Sequence, residues 1–331
     1  MKYIPKAENP PEKTDKKQKF RFEDPLEKYR NMQMRPPEEP KRTLKPDWAL
    51  SSFSGIVSRN HGGDEYVNEK LDEMPEETLP STVPAYTAPG KELSETALFP
   101  RGTEPGLALH AIFEKIDFSA PDNSVIIREI LKKEMNFEGN ELEKMTGTVA
   151  ECVRNVLNAP MLEGMALKDV KNHEKSAEMK FFFTIKENVR KKRIFEIIKE
   201  NFNCGSFDEE SVLKGFMTGS IDLVLKSGGK YYIIDWKSNF LGESFEDYNA
   251  EKITEEMKKH CYYLQYMIYL AAFDRYMTEA DPAYSYEKDF GGIRYVFLRG
   301  VKAQSGDHGI FYDRPEEALF RKFQKLFEGG K

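Results

Sequence analysis

The chain has 331 residues, room for one large domain or two smaller ones. Hydrophobic residues make up 39% and charged residues 32%, so part of the chain is expected to stay unpacked, and no apolar run approaches the ~18 residues of a membrane span. The formal charge of -6 divides into +4 over residues 1–50 (13 Lys+Arg against 9 Asp+Glu) and -10 over the remainder, which excludes a protein that coats nucleic acid through bulk charge but not an enzyme that admits it to a local cleft.

The start, Met1-Lys2-Tyr3-Ile4-Pro5, lacks the apolar core of a signal peptide. Cys152, Cys204 and Cys261 form no C-x-x-C pair, so they cannot assemble a zinc knuckle or a cysteine-ligated iron–sulfur cluster within one chain, and a reducing, cytoplasmic setting is expected. Of the 18 prolines, fourteen precede residue 106 and eight fall in the first 50. Residues 1–46, with Pro10-Pro11, Lys16-Lys17-Gln18-Lys19 and Pro36-Pro37, therefore read as a disordered or linker segment. Residues 47–98 read as a weakly structured extension, whose apolar islands, such as Phe53-Ser54-Gly55-Ile56-Val57, lean on something else. The compact part is expected over 99–331.

Its first element is a helix over 107–118, where Leu109, Ile112, Phe113 and Ile116 recur at helical spacing and His110 and Glu114 share one face. A mixed helical stretch follows over 124–157, then a phenylalanine-rich strand over 178–185. Residues 186–214 are basic, then acidic. Their run Arg190-Lys191-Lys192-Arg193 is either a solvated helix face or a binding patch. Two strands, 216–226 and 230–236, are joined through Ser227-Gly228-Gly229, since a Gly-Gly pair suits a two-residue hairpin loop that needs positive φ twice. An acidic loop over 239–250, one long helix to about Met277 and a strand over 292–298 complete the order. This pattern predicts an α/β fold with a mixed sheet flanked by helices.

With Gly228-Gly229 as the loop, residues whose numbers sum to 457 face each other, which sets Asp222 opposite Asp235 on one face. Opposed residues lie about 4.5–5.5 Å apart at Cα, and like charges there need compensation, for which a divalent cation is the natural agent. Lys237, two residues beyond Asp235, emerges on the same face. Two carboxylates and an ammonium suit metal-assisted phosphodiester hydrolysis, with the cation acidifying water and neutralising a phosphate oxygen and the lysine stabilising charge on phosphorus. The bland alternative is a surface hairpin with ordinary charges. Against it, Ile221, Leu223, Val224, Leu225, Ile233 and Ile234 form apolar runs typical of strands buried on both faces.

The runs Gly219-Ser220-Ile221-Asp222-Leu223-Val224 and Tyr231-Tyr232-Ile233-Ile234-Asp235-Trp236-Lys237-Ser238-Asn239 closely resemble the RecB-type nuclease domain, found at the C-terminus of the beta subunit of exodeoxyribonuclease V. Phe99-Pro100-Arg101-Gly102 with the following helix, Glu178-Met179, Leu264-Gln265-Tyr266 with Tyr269, Phe290-Gly291-Gly292 and Phe297-Leu298-Arg299-Gly300 extend the likeness, in order, over about residues 95–330. The resemblance implies the restriction-endonuclease-like PD-(D/E)xK core, a mixed β-sheet flanked by helices, here with a largely irregular N-terminal extension. It implies Mg²⁺-dependent cleavage of DNA, with single strands at the active site. Carried over, it makes His110, Asp222 and Asp235 metal ligands, Glu178 an aid to metal or water, and Lys237 the essential amine. Gln265 and Tyr269 match the family's Q-x3-Y element lining the DNA path. Because a nitrogen ligand is unusual for Mg²⁺, Mn²⁺ is expected to substitute. Trp236 stands where tyrosine is usual and Ser220 replaces a bulkier residue, and neither change removes a ligand.

Each residue keeps a bland reading too: His110 as a core histidine, Glu178 as a strand-end charge, and Glu114 as an exposed charge rather than a partner orienting His110. The series Tyr262, Tyr266, Tyr269, Phe273 and Tyr276 suits core packing better than base stacking, with Tyr269 the exception. No G-x-x-x-x-G-K-[ST] loop occurs, so no ATP site is expected in this chain. The expected setting is the nuclease part of a RecBCD-like helicase–nuclease in double-strand break repair and recombination, with RecC-like and RecD-like subunits and the RecB-like helicase part as partners. The alternatives are a self-standing restriction- or CRISPR-type nuclease, or a module that binds DNA ends or a partner without cutting.

Overall fold

The hairpin at Gly228-Gly229 organises the molecule: both glycines have positive φ (57° and 83°), and the strands they join pair as Val224↔Ile233, Lys226↔Tyr231 and Ser227↔Lys230, the register that the loop dictates. The structure, a computed structural model, describes residues 49–57, 94–204, 211–303 and 308–328. The segment 1–46 and most of 47–98 lie outside the described residues.

In chain order the elements are β1 (Ala49–Ser51), α1 (Phe53–Val57), α2 (Thr103–Lys115), α3 (Ser124–Met135), α4 (Gly139–Asn158), β2 (Pro160–Leu162), β3 (Met165–Ala166), β4 (Lys175–Arg190), α5 (Lys191–Phe202), β5 (Val212–Ser227), β6 (Lys230–Lys237), α6 (Ala250–Lys259), α7 (Tyr262–Ala280), α8 (Tyr286–Asp289), β7 (Phe290–Phe297), β8 (Ile310–Asp313) and α9 (Glu317–Glu328). The main sheet runs β1-β5-β6-β7-β8, with β4 along the other edge of β5, while β2 and β3 form a separate ribbon. The β1–β5 and β6–β7 pairs are parallel and the others antiparallel, so the sheet is mixed. Among the described residues no helix is long and apolar enough to cross a membrane.

Two cores sandwich this sheet. On one face α1, α5, α7 and α9 pack Phe53, Ile194, Tyr266 and Phe320 against Ile233, Ile293 and Tyr295. On the other, α2, α3 and α4 pack Ile112, Phe113, Ile127 and Val149 against Tyr232, Ile234, Trp236 and Val296. Consecutive residues of β6 thus enter opposite cores, which is why its sequence is an unbroken apolar run. The islands near residue 50 lean on this body: Leu50 pairs with Phe216, and Phe53, Ile56 and Val57 are buried.

One element differs from expectation. The long helix ending near Met277 is two helices, α6 and α7, separated at His260 and Cys261, with Cys261 in the left-handed region (φ 57°). Its Sγ touches that of Cys204 at 2.9 Å, and both thiols are free and buried. The apolar spacing continues across the break, so hydrophobic periodicity carries no sign of it.

Candidate active site

The β5–β6 ladder ends at Leu223↔Ile234. One step further, where Asp222 and Asp235 would be opposed, the strands part, and the Asp222 carboxylate accepts the Trp236 N–H at 2.8 Å. On the other side of β5, Ala177↔Leu223 and Met179↔Ile221 bracket Glu178, which faces Asp222 with a φ of 49°. Glu178, Asp222 and Asp235 therefore occupy one row across three adjacent strands.

The shared face expected for the two aspartates is not what the strands deliver. Ile221 lies in the α7-side core and Leu223 in the α2-side core, so the alternation of β5 breaks at Asp222. Asp235 and Lys237 follow Ile233 onto the α7 side, whereas Asp222 fills the gap between strands and meets His110 of α2.

Helix α2 places His110 there. Gly102, at φ 108°, turns the chain into the helix in a conformation that favours glycine, and Leu109, Ile112 and Phe113 bury one stripe. Phe113 packs on Trp236 with ring centres 4.6 Å apart, which sets the preceding turn beside the row. His110 Nδ1 lies 3.5 Å from Asp222 Oδ2. Both residues are partly open to solvent, as is Glu178, whose carboxylate accepts a hydrogen bond from the Ser220 hydroxyl at 2.9 Å.

Asp235 and Lys237 lie deeper. Lys237 Nζ is 2.8 Å from Asp235 Oδ2, and each side chain is 2% exposed. The ammonium sits over the Tyr262 ring at 4.1 Å and near that of Tyr295 at 5.4 Å. The Tyr295 hydroxyl lies 2.9 Å from Gln265 Oε1 and 3.3 Å from the Tyr262 carbonyl oxygen, and Gln265 Nε2 donates to the Tyr269 hydroxyl at 3.1 Å. Gln265 and Tyr269, implied by the resemblance to line the DNA path, are 1% and 2% exposed. Both side chains are bonded into the wall beside Lys237, Gln265 to Tyr269 and to Tyr295.

Electrostatics identify the row as a place short of positive charge. Burial pushes the Asp235 carboxyl up to about 7, and Asp222 pushes the same way against the pull of Lys237 and His110. Burial, then Asp222, raises Glu178, with Ser220 opposing. Asp235 Oδ2 is buried and accepts no well-aligned hydrogen bond, although the ammonium is close. Among the described residues no three His, Cys, Asp or Glu side chains converge as a ready-made metal cage. Asp222 is turned to Trp236 N–H and Asp235 to Lys237, so seating an ion there exchanges these partners. The donor set itself, hard carboxylate oxygens that repel one another and one imidazole, fits a divalent cation.

Sequence reasoning missed the clamp that holds the site together. Buried Arg299 donates through Nε to Ser238 O at 2.8 Å, through Nη1 to Thr96 O and Phe99 O at 3.1 and 3.0 Å, and through Nη2 to Pro100 O. One guanidinium thus ties the segment after Lys237 to the approach to α2. The run Phe297-Leu298-Arg299-Gly300 signalled a motif but not this role. Tyr295 was also missed, although it pairs with Asp235 in the parallel β6–β7 ladder.

The profile of the PD-(D/E)XK nuclease superfamily matches residues 89–329, nearly all of the described domain. The chain belongs to this superfamily. Its relatives include the RecBCD enzyme subunit RecB of Escherichia coli K12, 32% identical over 288 residues that cover 86% of this chain and 23% of the relative. The protein of the same name from Haemophilus influenzae is 32% identical over 295 residues (86% and 24%), and that of Mycobacterium tuberculosis H37Rv 22% identical over 325 residues (88% and 29%). The chain spans about a quarter of the length of these relatives. With the superfamily match, this identity marks a RecB-type nuclease domain on a PD-(D/E)XK core, as the motifs over residues 95–330 implied.

Proposed function

We propose that this domain hydrolyses phosphodiester bonds of DNA, with single strands at the active site and Mg²⁺ as the cofactor, replaceable by Mn²⁺. In this reading it is the nuclease part of a cytoplasmic RecBCD-like helicase–nuclease of double-strand break repair and recombination. RecC-like and RecD-like subunits and a RecB-like helicase part are then its partners. The observation that carries the reading is the row Glu178, Asp222 and Asp235 across three strands, with Lys237 bonded to its buried end.

In this reading His110, Asp222 and Asp235 hold the cation, which when bound supplies Lewis-acid chemistry at a phosphate oxygen and at water. The residues of the chain do the rest. Lys237, fixed by Asp235 and the faces of Tyr262 and Tyr295, aims a desolvated ammonium at the charge that develops on phosphorus. Glu178, whose carboxyl holds its proton more tightly than an ordinary glutamate, is placed to take a proton from the attacking water. Gln265 and Tyr269 belong to the Q-x3-Y element along the DNA path, and Tyr295, bonded to Gln265, is a positioning residue that acts through Lys237.

The test is cleavage of end-labelled single- and double-stranded DNA by the purified chain with Mg²⁺, Mn²⁺ or EDTA. Lys237→Ala and Asp235→Ala are expected to lower the rate by about two to four orders of magnitude, since each removes a main source of transition-state charge stabilisation. Unchanged cleavage by Lys237→Ala overturns the assignment. Capture of motor subunits from a lysate by the tagged chain separates membership of a larger complex from a free enzyme.

A further inference from the structure

The break between α6 and α7 brings together side chains that a continuous helix would hold apart. Residues two apart on a helix do not face each other. With the left-handed Cys261 between them, His260 and Tyr262 instead stack, their rings 18° from parallel and 5.3 Å apart at the centres. Tyr262 is the ring over which the Lys237 ammonium sits at 4.1 Å, so the turn that ends α6 reaches the site through one aromatic contact.

Hydrogen bonds reach the same ring by a second route. His260 Nε2 lies 2.7 Å from Glu256 Oε1, one turn earlier on α6, and since an ionised carboxylate has no proton to give, the imidazole is the donor. Asn239, two residues past Lys237, donates through Nδ2 to the same Oε1 at 3.2 Å. Its Oδ1 accepts the Tyr262 hydroxyl at 3.3 Å. The carboxylate decides which way this amide points, because it can take only the nitrogen end. Tyr262 is thereby held twice, at its hydroxyl by Asn239 and at its ring by His260, and both holds lead back to one oxygen of Glu256.

The side chains of Glu256 and His260 are each 13% exposed, and Lys259 Nζ lies 3.6 Å from the second Glu256 oxygen. Burial pushes the Glu256 carboxyl up, but His260, Lys259 and Asn239 outweigh it and hold the group below the ordinary glutamate value. A buried ion pair adds little stability over apolar packing of the same volume. What this one supplies is direction, since its bonds fix the Asn239 amide and through it the phenol.

We propose that Glu256 and His260 are positioning residues for Lys237, setting through Asn239 and the Tyr262 ring where the ammonium stands against the phosphorus. The inference rests on the nuclease reading above. Because the two residues act through Lys237, they govern the rate of the chemical step and not the affinity for DNA, and they have nothing to act on once that lysine is removed. A reacting group misplaced by about 1 Å loses about 100-fold in rate. Asp235 and Tyr295 also restrain the ammonium, so the loss expected without His260 is smaller, about tenfold.

The experiment is single-turnover cleavage of end-labelled single-stranded DNA by the full chain with Mg²⁺, over protein concentrations that separate the rate at saturation from the concentration that half-saturates it. His260→Ala is expected to cut about tenfold more slowly at saturation with half-saturation unchanged. Placed on Lys237→Ala, the same substitution is expected to slow cleavage no further, a non-additivity that a general loss of stability does not produce. Glu256→Gln keeps the shape of the side chain but weakens the bonds it accepts, so its expected loss is about threefold, and it carries the same comparison if His260→Ala fails to fold. The proposal is overturned if the folded variants cut at the parent's rate, if the change is confined to half-saturation, or if the loss persists on Lys237→Ala. A parent that cuts no DNA sinks the nuclease reading and this inference with it, whereas a parent that cuts, with losses that add, sinks this inference alone.

Discussion

Replacing Asp235 by asparagine tests the electrostatics of the site without any substrate. An unfolded aspartate titrates near 3.8, while burial holds the folded Asp235 carboxyl up to about 7. Between those values the folded chain carries one more proton than the unfolded chain, so its stability falls as pH rises, by about 1.4 kcal/mol per unit. This contribution is fully present below 3.8 and is lost as pH rises through about 7. From pH 5 to pH 8 the loss amounts to about 3 kcal/mol. An asparagine at this position has no such proton, and its amide stands in for the protonated carboxyl. In EDTA the Asp235→Asn protein should therefore match the parent near pH 5 and exceed it by about 3 kcal/mol at pH 8. Urea unfolding at both pH values, followed by the fluorescence of Trp236, which is buried beside the substitution, measures the difference. A divalent cation should return stability to the parent at pH 8, more than at pH 5, and not to the variant. A parent and a variant with the same pH dependence would refute the claim that burial and Asp222 outweigh Lys237 at this carboxyl.

Other substitutions separate the parts of the site. Tyr295→Phe removes the hydroxyl beside Gln265 and is expected to lower kcat about tenfold with KM unchanged, as befits a group that positions Lys237; a change confined to KM would contradict that role. Glu178→Gln relieves the repulsion from Asp222, so in EDTA at pH 8 the protein should melt at a higher temperature while cutting at least tenfold more slowly, a combination that calorimetry and a cleavage assay check together. Arg299→Lys keeps the charge but cannot serve four carbonyl oxygens at once, and the orphaned acceptors should cost about 3 kcal/mol or more, seen as a Tm lower by roughly 6–12 °C. Phe113→Ala empties the space against Trp236, with a cost of about 3–5 kcal/mol in chemical denaturation.

What could be read from the residues was what local chemistry dictates. Two glycines that both need positive φ set the hairpin register, and the register set the order of partners from Ser227↔Lys230 to Leu223↔Ile234. The same arithmetic then failed at the next pair. The ladder stops where two like charges would meet, and strand alternation is no guide across a place where the strands part. Long-range closure was equally silent. Nothing near Arg299 announces that its guanidinium reaches Thr96 and Phe99, about two hundred positions earlier, and nothing in the spacing of α6 and α7 announces a left-handed Cys261.

The burial of Gln265 and Tyr269 shows what residue type alone leaves unsaid about a site. A glutamine and a tyrosine four apart on a helix suit a nucleic-acid path and a buried hydrogen-bond relay equally well, and the position of Tyr295 supplies the relay. That position follows from pairing β7 in parallel with β6, which sets Tyr295 beside Asp235 and delivers its hydroxyl to Gln265. The relay keeps the aromatic wall around Lys237 at a fixed distance, and in this dry pocket the ammonium must balance a carboxylate that burial pushes toward neutrality. The buried end of the row is thus a lysine held ready by its surroundings. The open end, with Asp222, His110 and Glu178, is where charge can be exchanged with whatever enters the gap.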